Sequence, residues 1–388
     1  MAEIKSDEIV ALDACDEYDV EKIYDVLKRQ FNNCKIDVSS FVGKKVVIKP
    51  NLVMKKDPED AATAHPAVIE ALCRILNENG IVPVCAESSG GPYLAERMST
   101  IYKTCGLSRL ADENKLVLNF DMSDESIGFP GGKTSKVFHV IKPICDADVI
   151  FSVSKLKSHS LTKMSGAVKN FYGVIPGLEK FEIHARFPEM KDFSSMLCDL
   201  CQMLHENKTV INIVDAIFGM EGNGPTGGEK RKIGALITSK NAFCADEVAM
   251  ELIGFSPVMT VSESKKRAFC RDIENTNVIG CKTDDLKLSD FKLADASSGG
   301  FLKALPHILG GRLNRVFEPK PALIPDKCVG CGECARSCPK KTIEMVKKGS
   351  KRVPHFNYEN CIRCYCCQEL CPHTAIKIRR NLVLRIIK

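Results

Sequence analysis

The sequence contains no long uninterrupted run of apolar residues. None of its apolar stretches approaches the ~18 residues that a membrane-spanning helix requires, so we expect no transmembrane segment. The N-terminus, MAEIKSDEIV, has neither the basic start nor the apolar stretch of a secretory signal peptide. We therefore expect a cytoplasmic protein.

Aromatic residues are scarce, at 6% of the chain. None of them interleaves with the basic residues of a predicted hairpin loop at Lys347, Lys348, Lys351 and Arg352. Because binding of nucleic acid commonly combines a basic surface with stacking aromatic side chains, we expect no nucleic-acid partner.

Cysteine, in contrast, is abundant: the chain has 20. Eight of them form the motif C-x2-C-x2-C-x3-C-P twice, at Cys328, Cys331, Cys334 and Cys338, and again at Cys361, Cys364, Cys367 and Cys371. Four thiolates at this spacing suit a 4Fe-4S cluster, and in the bacterial two-cluster arrangement the fourth cysteine of each motif binds the other cluster. We therefore predict that cluster one is bound by Cys328, Cys331, Cys334 and Cys371, and cluster two by Cys361, Cys364, Cys367 and Cys338. This stretch resembles a bacterial two-cluster ferredoxin.

A structural zinc site is the alternative interpretation of these cysteines. Zinc needs two C-x2-C pairs in a tetrahedral cage, and the repeated triple motif followed by proline does not match that need. Cys366 is an additional thiol inside the second motif, and alignment with the first motif assigns Cys367 as the ligand instead. We expect the remaining cysteines to be buried free thiols, which together with the clusters indicates a reducing cytoplasm, typical of an anaerobe.

Charge is distributed unevenly along the chain. From Pro321 onward there are 14 Lys and Arg against 5 Asp and Glu, whereas the rest of the chain has 41 against 44. The formal net charge of +6 falls to about +2 once two clusters with their thiolates are counted. A basic cluster domain favours an acidic redox partner protein.

The proline-rich segment FEPKPALIP divides the chain into residues 1–318 and residues 319–388, and a glycine-flanked connector, SSGGFLKALPHILGGRLNRVF, precedes the division. The first part alternates strands with helices, for example a strand at 44–50, a helix at 65–80 and a strand at 81–87. This pattern predicts an α/β domain with a mostly parallel sheet, whose functional sites lie at the carboxyl ends of the strands. The second part is predicted to be a small α+β ferredoxin-like domain carrying both clusters.

Three segments of the α/β domain could carry chemistry. AESSGGP (86–92) is either a tight turn or an anion-binding loop before a helix. KLKSHSLTKMSGAVKN (155–170) is either a solvated basic loop or a site for a carboxylate or phosphate, with His159 as acid or base. In 214–232, Asp215 and Glu221 flank a glycine-dense stretch that either only forms turns or contributes a metal or hydroxyl site.

Several strings resemble one large prokaryotic family, the domain-of-unknown-function family number three hundred and sixty-two. They are VVIKPNLV, AHPAVIEAL, SVSKLKSHSLTKMSGAVKNFYGVIPG and VDAIFGMEGNGPTGG. The family is often fused to a ferredoxin, which implies a cytoplasmic iron–sulfur protein of an anaerobe and no particular reaction.

A second likeness concerns the run H-x5-S-G-x2-K formed by His159, Ser165, Gly166 and Lys169. It is similar to a run in the nickel-pincer lactate racemase family. That resemblance implies a proton-transfer role for His159, attachment of the cofactor to Lys169 and nickel binding by His184. The ferredoxin domain and the different length set this chain apart from that family, so the likeness favours shared ancestry of the α/β domain over a shared cofactor.

From these patterns we expect an iron–sulfur electron-transfer protein whose clusters feed a partner or the N-terminal domain. The alternatives are a redox or racemase-like enzyme acting on a small anionic substrate in that domain, with His159 and Lys169 as catalytic residues, and a non-catalytic docking protein with structural clusters. A second cofactor in the N-terminal domain is left open.

Overall fold

The computed structural model describes residues 9–255, 257–294 and 319–379. The strands are β1 Val10–Ala14, β2 Val46–Pro50, β3 Val84–Cys85, β4 Val117–Leu118, β5 Asp124–Gly128, β6 Val137–Ile141, β7 Val149–His159, β8 Lys163–Ser165, β9 Thr209–Glu221, β10 Glu229–Ser239, β11 Val278–Gly280, β12 Lys320–Leu323, β13 Ile343–Lys348, β14 Lys351–Phe356 and β15 Ile376–Arg379. The helices are α1 Val20–Asn33, α2 Pro66–Glu78, α3 Ala95–Thr104, α4 Leu107–Asp112, α5 Lys142–Asp146, α6 Ala167–Asn170, α7 Glu179–Arg186, α8 Met190–Asn207, α9 Ala242–Leu252, α10 Met259–Lys266, α11 Thr283–Leu286, α12 Glu333–Arg336 and α13 Cys366–Glu369.

A nine-stranded sheet organises the larger part of the protein, in the order β11-β1-β10-β9-β7-β2-β3-β4, with β8 paired to β7. The neighbours from β9 to β4 all run parallel, whereas β10 is antiparallel to both β9 and β1. The predicted α/β domain with a mostly parallel sheet is confirmed. The carboxyl ends of β2, β3 and β7 meet at one edge, which is where such sheets place their sites.

Helices cover both faces of the sheet, because both faces are apolar. One core cluster joins the sheet to α6, α8 and α9, and the other joins it to α1, α2 and α3. Strand β7 is buried along its whole length. A parallel strand covered on both sides is expected to be apolar throughout, so its polar residues near the carboxyl end need a specific explanation.

Helix α2 begins and ends as its sequence signals predict. Pro66 occupies the first helical position, and the His65 side chain accepts a hydrogen bond from the Ala67 amide at 3.2 Å. Gly80, just beyond the helix, has a φ of +72°, which a residue with a side chain rarely adopts.

One segment expected to be a loop forms a hairpin instead. Strand β7 continues to His159, and the chain then turns back as β8, so residues 155–165 are paired. That expectation was wrong because polar residues suggested exposure, whereas here buried hydrogen bonds satisfy them. The sequence also predicts a strand over 209–219, which contains Asp215; β9 confirms it and extends it to Glu221. The predicted strand at 81–87 is reduced to two residues after Pro83.

The C-terminal part contains two small antiparallel sheets, β12 with β15 and β13 with β14, and the short helices α12 and α13. The predicted small α+β ferredoxin-like domain is confirmed. The glycine-flanked connector lies outside the described residues, so the division at residue 318 stays a prediction. None of the helices in the described ranges has the length and apolarity needed to cross a membrane.

Asp199 of α8 holds the segment before β6 in place. Its buried carboxylate accepts hydrogen bonds from the amides of Lys133, Thr134 and Ser135 at 2.7–2.9 Å and from the Arg267 guanidinium at 2.6 Å. Arg267 also pairs with Glu263 at 3.0 Å, so Asp199 is the shared acceptor of three amides and one of two carboxylates beside the guanidinium.

We predict that Asp199→Ala lowers the free energy of unfolding by about 2–4 kcal/mol, because it removes the acceptor shared by three amides and one of the two carboxylates that pair with the largely buried Arg267 guanidinium. Asp192→Ala, at an exposed position of the same helix, should change it by less than about 0.5 kcal/mol. Anaerobic chemical denaturation followed by circular dichroism measures both. Equal stability of the two variants would contradict the role of Asp199.

Candidate functional site

The eight motif cysteines surround two cavities. The first cavity is lined by Cys328, Cys331, Cys334 and Cys371, and the second by Cys338, Cys361, Cys364 and Cys367. The fourth cysteine of each motif therefore lies with the first three of the other motif, as the exchange of ligands requires.

Backbone amides point at the fourth cysteine of each motif. The Thr342 amide donates to Cys338 Sγ at 3.3 Å, and the Ala375 amide donates to Cys371 Sγ at 3.2 Å. Such bonds stabilise the negative charge of a cluster-bound thiolate. Across the described ranges, no group of three or more His, Cys, Asp or Glu side chains has the geometry for a single metal ion.

Backbone conformation fixes the alignment of the two motifs. Gly330 and Gly332 in the first motif have φ values of +78° and +76°, and Arg363 and Tyr365 have φ values of +58° and +62° in the second. Cys366 therefore takes the position of Glu333, directly after the second of these residues. This equivalence agrees with the assignment of Cys367 as the ligand.

Cys366 lies on the wall of a third cavity, between the two parts of the chain. We call this cavity the interdomain pocket. It is lined by Asn51, Val53, Glu87, Ser88, Ser89, Gly90, Lys157, Ser165, Lys169, Asn170, Tyr172, Gly173, Lys180, Phe181, His184, Pro225, Cys366, Glu369 and Leu370. Its floor comes from the carboxyl ends of β2, β3 and β7, and its roof comes from α13.

Direct contacts hold the ferredoxin-type part over this pocket. The Gln368 amide donates to Asn223 O at 3.0 Å, and the Thr226 hydroxyl donates to Glu369 O at 2.7 Å. Leu370 lies so close to Gly90 that a Cβ at residue 90 would be 2.4 Å from a Leu370 methyl group. The pocket therefore depends on both parts of the chain.

A buried ion pair forms part of the floor. Lys49 Nζ contacts the Glu87 carboxylate and donates to Asn170 Oδ1 at 3.0 Å. Burial lowers the pKa of Lys49 and raises that of Glu87, and the charge of each partner opposes these shifts. Gly173 lies directly over the pair, where a Cβ would be 2.1 Å from Glu87 Oε1.

Lys169 is held on the short helix α6, which Asp246 supports from below. The Asp246 carboxylate accepts hydrogen bonds from the amides of Ala167 at 2.6 Å and Val168 at 3.1 Å. Gly166 is required there, because a Cβ would be 2.2 Å from Asp246 Oδ1. The Ser-Gly-x2-Lys run therefore has a structural reason for its glycine.

The Lys169 ammonium group has no hydrogen bond or ion pair with the described residues. Lys169 Nζ instead lies over the Tyr172 ring, 5.4 Å from the ring centroid. Burial lowers the pKa of Lys169, and the nearby Glu369 carboxylate opposes the shift. A lysine in this position is available to an anion or to a covalent partner in the pocket.

Two other lysines of the pocket contact only neutral oxygen atoms. Lys157 donates to Asn51 Oδ1 at 2.8 Å and to Ala62 O at 2.6 Å. Lys180 donates to Ser88 O at 2.7 Å and to Ile175 O. Burial lowers the pKa of each to about 7. Both lysines therefore change charge near neutral pH.

His159 and Glu369 meet at the edge of the pocket. His159 Nδ1 accepts hydrogen bonds from the amides of Leu161 at 3.0 Å and Thr162 at 3.3 Å, so the neutral ring carries its proton on Nε2. That nitrogen is 3.7 Å from Glu369 Oε2. Burial lowers the pKa of His159 to about 4. Burial opposes ionisation of Glu369, but His159 and Lys169 outweigh it and hold its pKa below the usual range.

His184 also lines the pocket. Its ring stacks on Phe193 with the centroids 4.5 Å apart, and its buried Nδ1 has no hydrogen-bond partner. Burial lowers its pKa to about 3, so the ring is neutral at physiological pH. An unpartnered buried nitrogen is costly and is typical of a position that a ligand satisfies.

The structure thus brings together His159, Lys169 and His184, which the sequence had suggested as a set. Lys163 is directed elsewhere, since its ammonium group donates to Pro257 O at 3.0 Å. Asp215 and Glu221 do not converge: Asp215 pairs with Lys155 at 2.6 Å, and Glu221 lies near Lys292 at 3.4 Å.

Sequence reasoning missed Lys180, Glu87 and the pocket role of Glu369. Glu87 lies in the AESSGGP segment, but the helix after that segment begins only at Ala95, so no helix N-terminus adjoins its glycines. Glu369 is more than 200 residues from His159 in the sequence. No local pattern marks such a contact.

We predict that Cys366→Ser retains the iron content of the wild-type protein, because Cys366 faces the interdomain pocket. Cys367→Ser should lose one cluster, or about half of the iron, because that thiol lines the second cavity. Elemental analysis of anaerobically purified protein measures both. Loss of iron in Cys366→Ser with retention in Cys367→Ser would reverse the assignment.

We also predict that sulfate, used as a probe dianion, binds the pocket more weakly as the pH rises through about 7. Lys157 and Lys180 lose their positive charge over that range, whereas the charge of sulfate stays constant. Isothermal titration calorimetry measures the affinity. Lys157→Gln should weaken binding and flatten the pH profile, and Lys163→Gln should leave it unchanged; a pH-independent wild-type affinity would contradict the prediction.

Two family models match different parts of the chain. Residues 46–251 match the family model described as "Domain of unknown function (DUF362)", and residues 327–375 match "4Fe-4S dicluster domain". The chain is 29% identical over 224 residues to a thylakoid-associated protein of Synechocystis sp., which covers 55% of this chain and 64% of that protein. It is 36% identical over 62 residues to the pyruvate synthase subunit PorD of Methanothermobacter marburgensis, covering 16% of this chain and 68% of that protein.

Among solved structures, the lactate racemase apoprotein from Thermoanaerobacterium thermosaccharolyticum matches with a TM-score of 0.35 and 13% identity. The match covers 55% of this chain and 52% of that chain. The first family model covers more than half of the 388 residues. The chain therefore belongs to the DUF362 family, and its C-terminal part is a 4Fe-4S dicluster domain.

Proposed function

We propose that the protein is an iron–sulfur electron-transfer enzyme whose ferredoxin-type domain delivers electrons to a small anionic substrate in the interdomain pocket. The observation that carries this proposal is the position of α13. Its residues Cys366 and Glu369 line the pocket, whereas Cys367, between them, lines the second cysteine cavity. One short helix thus separates the predicted site of cluster two from the pocket.

The residues around the cysteine cavities fit two 4Fe-4S clusters, which when bound supply reversible one-electron transfer. We assign Cys328, Cys331, Cys334 and Cys371 to cluster one, and Cys361, Cys364, Cys367 and Cys338 to cluster two. Cys364 packs with Cys366, Phe181 and Leu370, so the contact between the second cavity and the pocket is direct and apolar.

The charges of the pocket favour an anion. Lys157, Lys169 and Lys180 have no carboxylate within ion-pair distance among the described residues, and Lys49 is the one lysine of the floor that has such a partner. A carboxylate or phosphate that enters the pocket would pair with ammonium groups that are already desolvated, which strengthens the interaction.

His159 and Glu369 provide a route for a proton. The neutral imidazole holds its proton on Nε2, facing the Glu369 carboxylate, which keeps the ring oriented and favours its imidazolium form, the proton donor of the pair. Reduction of a bound anion usually requires a proton together with each electron. Cys367, assigned to cluster two, and Glu369 lie two residues apart on α13, so the electron and the proton would reach the pocket beside the same helix.

A second candidate is a racemase-like or isomerase-like enzyme acting on a small anion. One observation favours it: Lys169 and His184 line the same cavity as Glu369, which contacts His159. In that case Lys169 and His184 would hold an additional cofactor, and nickel is the metal that the sequence resemblance implies. The unpartnered Nδ1 of His184 and the unpaired Lys169 fit such a group.

We assign the protein to a reducing compartment, the cytoplasm. None of the 20 cysteines, all of which lie in the described ranges, forms a disulfide, and most of the 12 outside the cluster motifs are buried. Disulfides would be expected among so many cysteines in an oxidising environment.

The first test is elemental analysis and mass spectrometry of the anaerobically purified protein. The electron-transfer proposal predicts about eight iron atoms per chain and a reversible one-electron reduction seen by electron paramagnetic resonance. Nickel or a bound organic cofactor would favour the second candidate. A protein that contains zinc and shows no redox response would exclude both cluster assignments.

We predict that His159→Ala and Lys169→Ala keep their iron but lose most of the ability to reduce a substrate, by about 100-fold or more. The assay is reoxidation of the dithionite-reduced protein by a panel of small carboxylates and phosphate esters. Lys163→Ala is the matched control and should behave as wild type, because its ammonium group lies outside the pocket. Unchanged reoxidation by all three variants would place the substrate elsewhere.

A further inference from the structure

The two cysteine cavities differ in their access to the surface. In the first cavity, Cys331 is exposed and the lining residue Val329 has 59% of its surface exposed. Each set also has buried members, Cys334 and Cys371 in the first and Cys367 in the second, and the other three thiols of the second set are half-buried. Helix α13, beside the second cavity, faces the interdomain pocket. Because only the first set contains an exposed cysteine, the first cavity is the one that a protein approaching from solvent contacts more directly.

The β13–β14 hairpin borders this outward cavity. Its residues Met345 and Pro354 line the cavity, and Lys351 Nζ donates to Cys328 O at 3.0 Å. A Cβ at Gly330 would be 2.6 Å from Arg352 O, so the hairpin backbone lies directly against the Cys328–Cys331 loop. Any partner that contacts the tip of the hairpin is thus close to the first cavity.

The tip of the hairpin carries an unusual arrangement of charge. Lys347 lies directly opposite Arg352, and Lys348 lies directly opposite Lys351. Like charges in opposed cross-strand positions destabilise a hairpin. Within residues 319–379 an ion pair joins Arg336 to Glu333. No carboxylate of the described residues pairs with these four cations.

Exposed apolar residues accompany the cations. Val346 lies on the same hairpin with 39% of its surface exposed, and Val329 is exposed beside the cavity. An apolar centre with a charged rim is typical of a transient protein–protein interface. We call Val329, Val346 and the four hairpin cations the basic hairpin face.

We propose that the basic hairpin face is the docking surface for an acidic electron-donor protein, so that electrons enter the chain at the first cysteine cavity. The donor loses one electron, and the cluster site held by Cys328, Cys331, Cys334 and Cys371 gains it. This inference rests on the proposed electron-transfer function and adds its direction: entry at the outward cavity and delivery at the interdomain pocket. An acidic surface would offset the repulsion between the opposed cations.

The experiment measures how fast two donors reduce the anaerobic holoprotein in a stopped-flow instrument. The donors are a reduced acidic plant-type 2Fe-2S ferredoxin, as the probe protein, and the methyl viologen radical cation, as a small mediator. The test variant carries Lys347→Glu with Lys348→Glu. The matched control carries Lys44→Glu with Lys45→Glu, two exposed lysines before β2, at the end of the sheet away from the pocket.

With the ferredoxin, we expect the wild-type rate constant to fall steeply with ionic strength. The hairpin variant should react about tenfold more slowly at low salt and show a flatter salt dependence, and the control should match wild type. Reduction by methyl viologen should persist in all three proteins. If charge reversal disturbs the fold, Lys347→Gln with Lys348→Gln should still slow the ferredoxin reaction by about threefold.

Two outcomes overturn the inference while leaving the proposed function intact. One is an equal ferredoxin rate in the hairpin variant and wild type, with both reduced by methyl viologen. The other is binding of single-stranded DNA or anionic vesicles that depends on Lys347 and Lys348 without any change in the electron-transfer rate. If neither donor reduces the wild-type holoprotein, the proposed function itself fails.

Discussion

The burial of lysine at the carboxyl edge of the sheet is the constraint on which the rest of this structure depends. Lys49, Lys155 and Lys157 are almost completely inaccessible to solvent. Each therefore needs a fixed partner: Glu87 for Lys49, Asp215 for Lys155, and neutral oxygens for Lys157. A buried ammonium group that lost its partner would destabilise the fold by several kcal/mol, so the loops that provide these oxygens are held in one arrangement.

The polar residues of this region fall into two groups: those whose polar atoms are all paired within the protein, and those with polar atoms left unpaired. The Lys155–Asp215 pair is completed by Tyr18, which contacts both and stacks on His65 with ring centroids 3.5 Å apart, so no group in it is left to bind a ligand. Lys169 and His184 have polar atoms without partners. The candidate pocket is thus identified by polar atoms that have no hydrogen-bond partner, and only the three-dimensional structure shows which atoms these are.

The sequence predicted the parts of the fold that local chemistry controls. The boundaries of α2 followed from Pro66 and Gly80, and the exchange of cysteines between the two motifs followed from their spacing. It failed where tertiary contacts override local character: residues 155–159 look solvated, yet burial and hydrogen bonds make them part of β7. Of the candidate site, one run of residues pointed to His159 and Lys169, and the resemblance that this run carries pointed to His184, whereas Glu369 and Lys180 depend on how distant segments meet.

The roof of the interdomain pocket has a consequence for the order in which the protein matures. Helix α13 contributes Cys366 and Glu369 to the pocket, and its neighbour Cys367 belongs to a set of thiols that would repel one another as thiolates without iron. Insertion of the clusters would then be the step that closes the pocket. A newly synthesised chain would leave Lys157, Lys169 and His184 open to solvent until its iron arrived, and only the mature protein would present a finished site.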